Sequence, residues 1–346
     1  MSPFVHTRPA KADAGQLVVV GWGGSWAQAM REHIFNGFER ETGIKILEDT
    51  PPNNAKIKAM VESGNVTWDL LETDLPAILS LVQENLLEKL DYSKIDKAKL
   101  DNFPAEMKQP YSIGHKIYSF NIVYNTNVFP TGKHPKTWAE VWDAAKFPGK
   151  RTFNYKGGVS PQVEIALVAD GAPIDSLYPV DEARAWASFD RLRPNVSKWY
   201  GSHSEAIQLI TTGEADIGCT IGPRGIAAKN EGAPVAVEYN EGKLASDNWC
   251  IVKDTPNFEA AMSFINYAVD AKRLAEMSKA VPYGPGNLGA FEFLSAEEAA
   301  ALNTSPENIK NQFWNNVEWW ATPRQSDGKS PREYLAEDYT SWMLKG

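Results

Sequence analysis

Residues 17–47 constrain the fold of this chain more than any other stretch. Leu17-Val18-Val19-Val20 runs into Gly21-Trp22-Gly23-Gly24-Ser25-Trp26, then an amphipathic stretch from Ala27 to Phe38, then Thr42-Gly43-Ile44-Lys45-Ile46-Leu47. The pattern predicts a buried strand, a glycine-rich loop, a helix and a second strand, the unit from which parallel sheets are built. Free N–H groups at the start of such a helix, with the positive end of its dipole, favour a polar or anionic ligand group. Two flanking indoles can pack on apolar or cationic parts of the same ligand. A tight turn carrying core tryptophans is the plainer alternative.

A length of 346 residues fits two domains. The formal charge of -9 and a pI near 5.2 argue against a nucleic-acid partner, which needs basic surface. No run approaches the ~20 apolar residues of a membrane span, so no membrane insertion is expected. Residues 1–14 follow neither strand nor helix patterning, and Ala12-Asp13-Ala14 before Gly15 has the form of an A-x-A cleavage site. With no basic or apolar stretch ahead of it, this segment reads as a clipped export-signal remnant or a simple tail. The two cysteines, Cys219 and Cys250, lie in separate predicted strands. Two buried thiols and a disulfide between neighbouring strands both remain open.

Strand and helix patterns alternate through most of the chain. Strands are predicted at 16–20, 44–48, 68–72, 117–124, 150–154, 195–200, 215–221, 234–239 and 248–252, with helices between them. Seams fall near 121–137 and after Val252, and the pattern at 258–280 predicts helices that pack against residues 16–48. The ordered set of Trp-Gly-Gly turn, "T-G-I-K-I", "W-D-L-L", "N-L-L-E-K-L-D", "K-T-W-A-E-V-W", "T-T-G-E-A-D-I-G", "A-A-K-N-E-G-A-P-V" and "P-Y-G-P-G-N" resembles periplasmic solute-binding proteins of ABC importers. Within that family it is most similar to the spermidine/putrescine-binding branch, over roughly residues 16 to 320. The resemblance implies an α/β, two-lobe periplasmic-binding-protein fold, each lobe a mainly parallel sheet flanked by helices, with a two-strand hinge. It assigns residues 15–121 and 253–346 to the first lobe and 122–252 to the second, with ligand between them. It further implies a periplasmic monomer that delivers its solute to permease subunits, or presents it to a receptor, and needs no cofactor.

Catalytic signatures are missing. There is no G-x-S-x-G elbow, no H-E-x-x-H, and the five histidines (6, 33, 115, 134 and 203) have no metal spacing. Gly284-Pro285-Gly286-Asn287-Leu288-Gly289 matches G-x-G-x-x-G but follows a helical stretch, which is the wrong setting for a dinucleotide. An exported two-lobe enzyme without a cofactor remains the competing class. Ligands of open α/β sheets sit beyond the carboxyl ends of strands, which nominates four loops. These carry Trp22, Gly23, Gly24 and Ser25; Glu72, Thr73 and Asp74; Thr220 and Arg224; and Ser246 with Asp247, expected just before the last crossing strand. Tyr283, in the matched P-Y-G-P-G-N stretch, joins them. Asp74 has an alternative as the N-cap of the following helix.

The family pattern gives Asp247 the task of receiving a ligand amine. Polyamine binders carry Trp-Thr-Glu-Tyr where this chain has Trp22-Gly23-Gly24-Ser25, and a tryptophan where it has Ala245. The aromatic clamp for a long methylene chain is thinned, and Arg224 would repel a polycation. The expected solute is therefore amine-bearing or zwitterionic, like an ω-amino acid. A polyamine is the alternative of the same class.

Overall fold

The structure, a computed structural model, describes residues 15–130, 132–154 and 162–345. The segment 1–14, read above as an export remnant or tail, lies outside the described residues. Strands β1 (Gln16–Val20), β2 (Lys45–Asp49) and β3 (Leu70–Asp74) form one parallel array with β1 in the middle. After the 14-residue β4 (Ser112–Asn125), a second parallel array is built from β5 (Arg151–Asn154), β6 (Val196–Tyr200) and β7 (Ile217–Ile221), with β5 central. The 18-residue β8 (Val235–Val252) then returns antiparallel to both β3 and β4. The strand order is β2-β1-β3-β8-β4-β7-β5-β6. Two parallel arrays thus share a central pair of long antiparallel strands, the expected two-lobe α/β fold.

The helix behind β1 runs Gly24–Met30, passes through a π turn at Arg31–Phe35 and continues as Asn36–Thr42. Gly43 ends it at φ 76°, a left-handed position where glycine carries no Cβ penalty. Its apolar side, Met30, Ile34, Phe35 and Phe38, is buried at the three- and four-residue spacing of one helix face. Phe264, in the helix Phe258–Ala268, closes on Phe35 at 5.7 Å and Phe38 at 5.3 Å between ring centroids. The expected packing of 258–280 on residues 16–48 is what the fold contains.

One expectation is corrected, one open alternative is decided, and one contact goes beyond the expected assignment. First, the region read as strands 234–239 and 248–252 with a loop between is one strand. The polar run Tyr239-Asn240-Glu241-Gly242-Lys243 looks like a loop in sequence. It is absorbed by a register slip between Glu238 and Lys243, with Glu241 in the left-handed region at φ 58°. Ser246 and Asp247 therefore sit inside β8, not ahead of it. Second, the two cysteines are free and buried. Cys219, on β7, pairs with Ile122 of β4, while Cys250, on β8, pairs with Leu71 of β3, so β4 lies between their strands. Third, the end of the chain touches both arrays. Gln83 donates to the Ala321 carbonyl at 3.2 Å on the side of the first. The final helix, Pro331–Leu344, instead sets Trp342 against Trp186, Phe189 and Trp199 of the segment assigned to the second lobe.

Candidate ligand-binding site

The register of the central strands gathers charge. Asp247 lies opposite Asp74 on one side and Lys116 on the other, and directly opposed residues of antiparallel strands share a face. Glu72 is two residues from Asp74 and shares that face too. Between Lys116 and Gly114 the β4–β8 register slips by one residue, His115. The bulge turns His115 to the same side, where its ring stacks on Trp249 at 4.4 Å and its Nε2 lies 3.5 Å from Glu72. Gly286 buttresses the bulge by donating to the His115 carbonyl at 2.9 Å. A Cβ at this position would stand 2.4 Å from the Gly114 carbonyl oxygen. That close approach accounts for one glycine of the G-x-G-x-x-G match without a nucleotide.

Lys116 is the centre of the cluster. Its Nζ donates to Glu72 at 2.7 Å and lies 2.8 Å from Asp247. It also sits 4.2 Å from the Trp26 ring centroid and 5.1 Å from that of Tyr283. Lys116 is only 4% exposed, and Glu72, Asp247, Trp26 and Tyr283 are buried with it. Burial alone would raise the Glu72 pKa, but Lys116 and then His115 outweigh it and hold the carboxyl at about 2. For Asp247 burial wins: with Glu72 adding repulsion, Lys116 compensates only in part and the pKa stands at about 6. His115 is pushed down by burial, against the pull of Glu72.

Asp74 performs its local task, accepting from the Ala77 N–H at 3.0 Å as the N-cap of helix Leu75–Gln83. The same oxygen pairs with Arg332 from the final helix, while its Oδ2 is buried without a partner. This face thus holds three carboxylates, Glu72, Asp74 and Asp247, against two cations, Lys116 and Arg332. It is one positive charge short.

Along the same face of β4 and β8 the next opposed pairs are Tyr118 with Ala245 and Phe120 with Lys243. Phe120 also faces Ile221, the last residue of β7, after which the helix Gly222–Asn230 begins. Arg224 lies in its first turn. Its Nη1 donates to Ser204 at 3.0 Å, its Nε is buried without a partner, and no carboxylate pairs with it among the described residues. Thr220 is buried and shares a 2.9 Å hydrogen bond with His203 Nδ1. His203 is pushed down to about 3, first by burial and then by Arg224. A cavity of about 20 Å³ touches Asp74, Tyr118, Lys243 and Ala245, room for about one water.

The structure brings Glu72, Asp74, Asp247 and Tyr283 into one cluster. Thr220 pairs with Asn121 and so alternates to the other face of the sheet, where the start of the Arg224 helix also packs; His203, bonded to Thr220 and 5.7 Å from the Phe120 ring, links them to the end of the row of opposed pairs. Trp22 and Gly23 border it, lining a cavity of about 90 Å³ with Glu72 and Trp249. Gly23, at φ 72°, precedes the helix with no side-chain cap on the first-turn N–H groups. Gly24 and Ser25 are exposed and outside the cluster. Thr73 alternates to the opposite face of β3 from Glu72 and Asp74. Trp26 enters as one of the two indoles expected beside the ligand, whereas sequence reasoning missed Lys116 and Arg332. A His-Lys pair inside a strand of 14 buried residues was the available signal, but the strand was read as starting at 117. Among the described residues no group of His, Cys, Asp and Glu is placed to hold a metal ion, and no helix is long and apolar enough to cross a membrane.

A charged cleft floor between two α/β lobes is the architecture of solute-binding proteins. Residues 33–307 match the family described as Bacterial extracellular solute-binding protein, and the chain belongs to it. It is 30% identical over 343 residues, 97% of this chain and 93% of the relative, to the gamma-aminobutyric acid-binding protein of Pseudomonas aeruginosa. To the spermidine/putrescine-binding periplasmic protein 1 of Haemophilus influenzae it is 28% identical, covering 84% of this chain and 82% of that protein. The solved Atu4243-GABA receptor superposes with a TM-score of 0.86 at 33% identity, covering 96% of this chain and 98% of that one.

Proposed function

We propose that the protein captures a short ω-amino acid of the γ-aminobutyrate class in the periplasm and hands it to the permease subunits of an ABC importer, without chemical turnover. The observation that carries this reading is an imbalance of charge. The cluster around Asp247 is one cation short, and among the described residues no carboxylate pairs with Arg224, which lies past the Phe120 end of the row. Buried unpaired charge is expensive, so a ligand with both an ammonium and a carboxylate satisfies both ends together. Lys116 and Phe120 are four residues apart on β4, a separation of roughly 13 Å before Asp247 and Arg224 reach inward. That span favours a short methylene stem, which Tyr118 and Ala245 would accompany. The names of two relatives above support the same ligand class.

In this reading the first lobe comprises 15–121 and the segment after Val252 as far as the turn before Pro331. The second comprises 122–252 with the final helix. Closure about β4 and β8 seals the ligand in. Calorimetry and thermal shift with γ-aminobutyrate, putrescine, spermidine and butyrate test the proposal. γ-Aminobutyrate should raise the melting temperature by mass action, and butyrate should not. Tight binding of putrescine or spermidine with no response to any amino acid would establish the polyamine alternative, which the carboxylate-rich end and the Haemophilus relative favour.

A further inference from the structure

Lys116 stands where a ligand ammonium would be expected. An alkylammonium receptor needs carboxylates for the charge and ring faces for the C–H groups beside the nitrogen. Glu72 and Asp247, at 2.7 and 2.8 Å, supply the first, and Trp26 and Tyr283, at 4.2 and 5.1 Å, supply the second. All four groups converge on a side chain whose end is chemically a primary alkylammonium on a methylene chain.

We infer that Lys116 is a specificity-determining residue: a covalently attached ammonium that permanently fills an amine cage, so that the protein rejects ligands with a second amine. The inference deepens the proposed function and rests on its placing of the ligand amine at the Asp247 end. With Glu72 already neutralised by Lys116, only one carboxylate charge remains for an incoming cation. A diamine would bring one positive charge more than the cluster can match, and its far ammonium would meet Arg224. Removing the Lys116 charge leaves Glu72 and Asp247 both unmatched, and truncating the side chain to alanine also vacates the space between Trp26 and Tyr283. The cage then presents itself to a ligand amine.

The test compares the unaltered protein with Lys116→Met and Lys116→Ala. Putrescine should bind Lys116→Met at least tenfold more tightly than it binds the unaltered protein, and should restore a lowered melting temperature. For Lys116→Ala, propylammonium, the fragment deleted, should raise the melting temperature, while leaving the unaltered protein unmoved. A folded Lys116→Met that binds putrescine no better than the unaltered protein overturns the inference. So does loss of folding in both variants that neither amine relieves, since Lys116 would then be a counter-ion no outside ammonium replaces. The two readings fail separately. If the unaltered protein ignores γ-aminobutyrate while Lys116→Met gains putrescine, the proposed ligand is wrong and the cage stands. If γ-aminobutyrate binds the unaltered protein and Lys116→Met gains nothing, the cage is wrong and the ligand class stands.

Discussion

Two buried lysines sit on adjacent strands of the same sheet face, and their surroundings differ in one respect. Lys243 donates to Glu164 at 3.0 Å, and the other oxygen of Glu164 accepts from Tyr178 at 2.7 Å and Trp320 at 2.6 Å. Each oxygen of that carboxylate is satisfied. Lys116 is instead shared by two carboxylates, with a third, Asp74, nearby and an orphaned oxygen upon it. A fully partnered buried pair fixes an arrangement of elements. A pair oversupplied with negative charge has room in its charge balance for one more cation, which is what the proposed ligand would supply. Burial and residue type are alike at the two sites; the balance of charge is what separates them.

Breaking the first pair should have the largest effect. Glu164→Ala leaves Lys243 buried without its carboxylate and should lower unfolding free energy by about 3–5 kcal/mol, read from urea denaturation. At the other lysine the sign differs. Asp247→Asn leaves Lys116 matched one-to-one with Glu72, so unliganded stability at pH 7.5 should hold or rise. Binding of γ-aminobutyrate should weaken by about 1.5–3 kcal/mol, the range for a hydrogen bond to a charged group, measured by calorimetry. Equal stability losses in the two variants would erase the distinction between the sites.

Arg224→Ala should reduce γ-aminobutyrate affinity by a similar or smaller amount, about 1–3 kcal/mol, and leave binding of butylamine unchanged. A loss shared equally by both ligands would remove Arg224 from carboxylate recognition. The smallest effect expected is on pH. The Asp247 pKa is raised to about 6, so between its unfolded value near 3.9 and that figure the folded protein holds the extra proton. This group therefore makes the unliganded protein lose stability as pH climbs from about 4 to 6. Lys116, Glu72, Asp74 and Tyr118 are the charged and titratable groups acting on it. A ligand ammonium favours the carboxylate, so affinity should rise from pH 5 to pH 7 by no more than about tenfold per unit. Calorimetry in buffers of different ionisation enthalpy at pH 5.5 should register proton release. Proton uptake, or none, would contradict it.

Much of the fold was legible because parallel arrays advertise themselves. Val18-Val19-Val20, Leu70-Leu71 and Ile217-Gly218-Cys219 are short apolar runs between amphipathic helices, and each became a strand where expected. The central pair was less legible, since its residues answer to the cluster as well as to the sheet. Lys116 looked like the end of a loop, and Asp247 like a turn before a strand, because a charged residue inside a buried strand contradicts hydrophobic patterning. The individual carboxylates were visible, as was the lone Arg224. What joined them was not, because the lysine and the arginine that answer the carboxylates come from residues 116 and 332, and only the sheet register and the final helix bring them together.

That final helix also changes the mechanics of the molecule. Two bodies joined by a pair of adjacent strands can twist as well as fold. A third connection, running from Ala321 beside Gln83 to Trp342 against Trp186, lies off the axis of that pair. If the lobes move about β4 and β8 as proposed, this connection, with the ion pair of Arg332 and Asp74 upon it, should confine the motion to a single arc. Fluorescence transfer between dyes on the two lobes should therefore show one swinging coordinate, and a chain ending after residue 329 should show a broader spread of distances. An unchanged spread would mean that β4 and β8 alone fix the path.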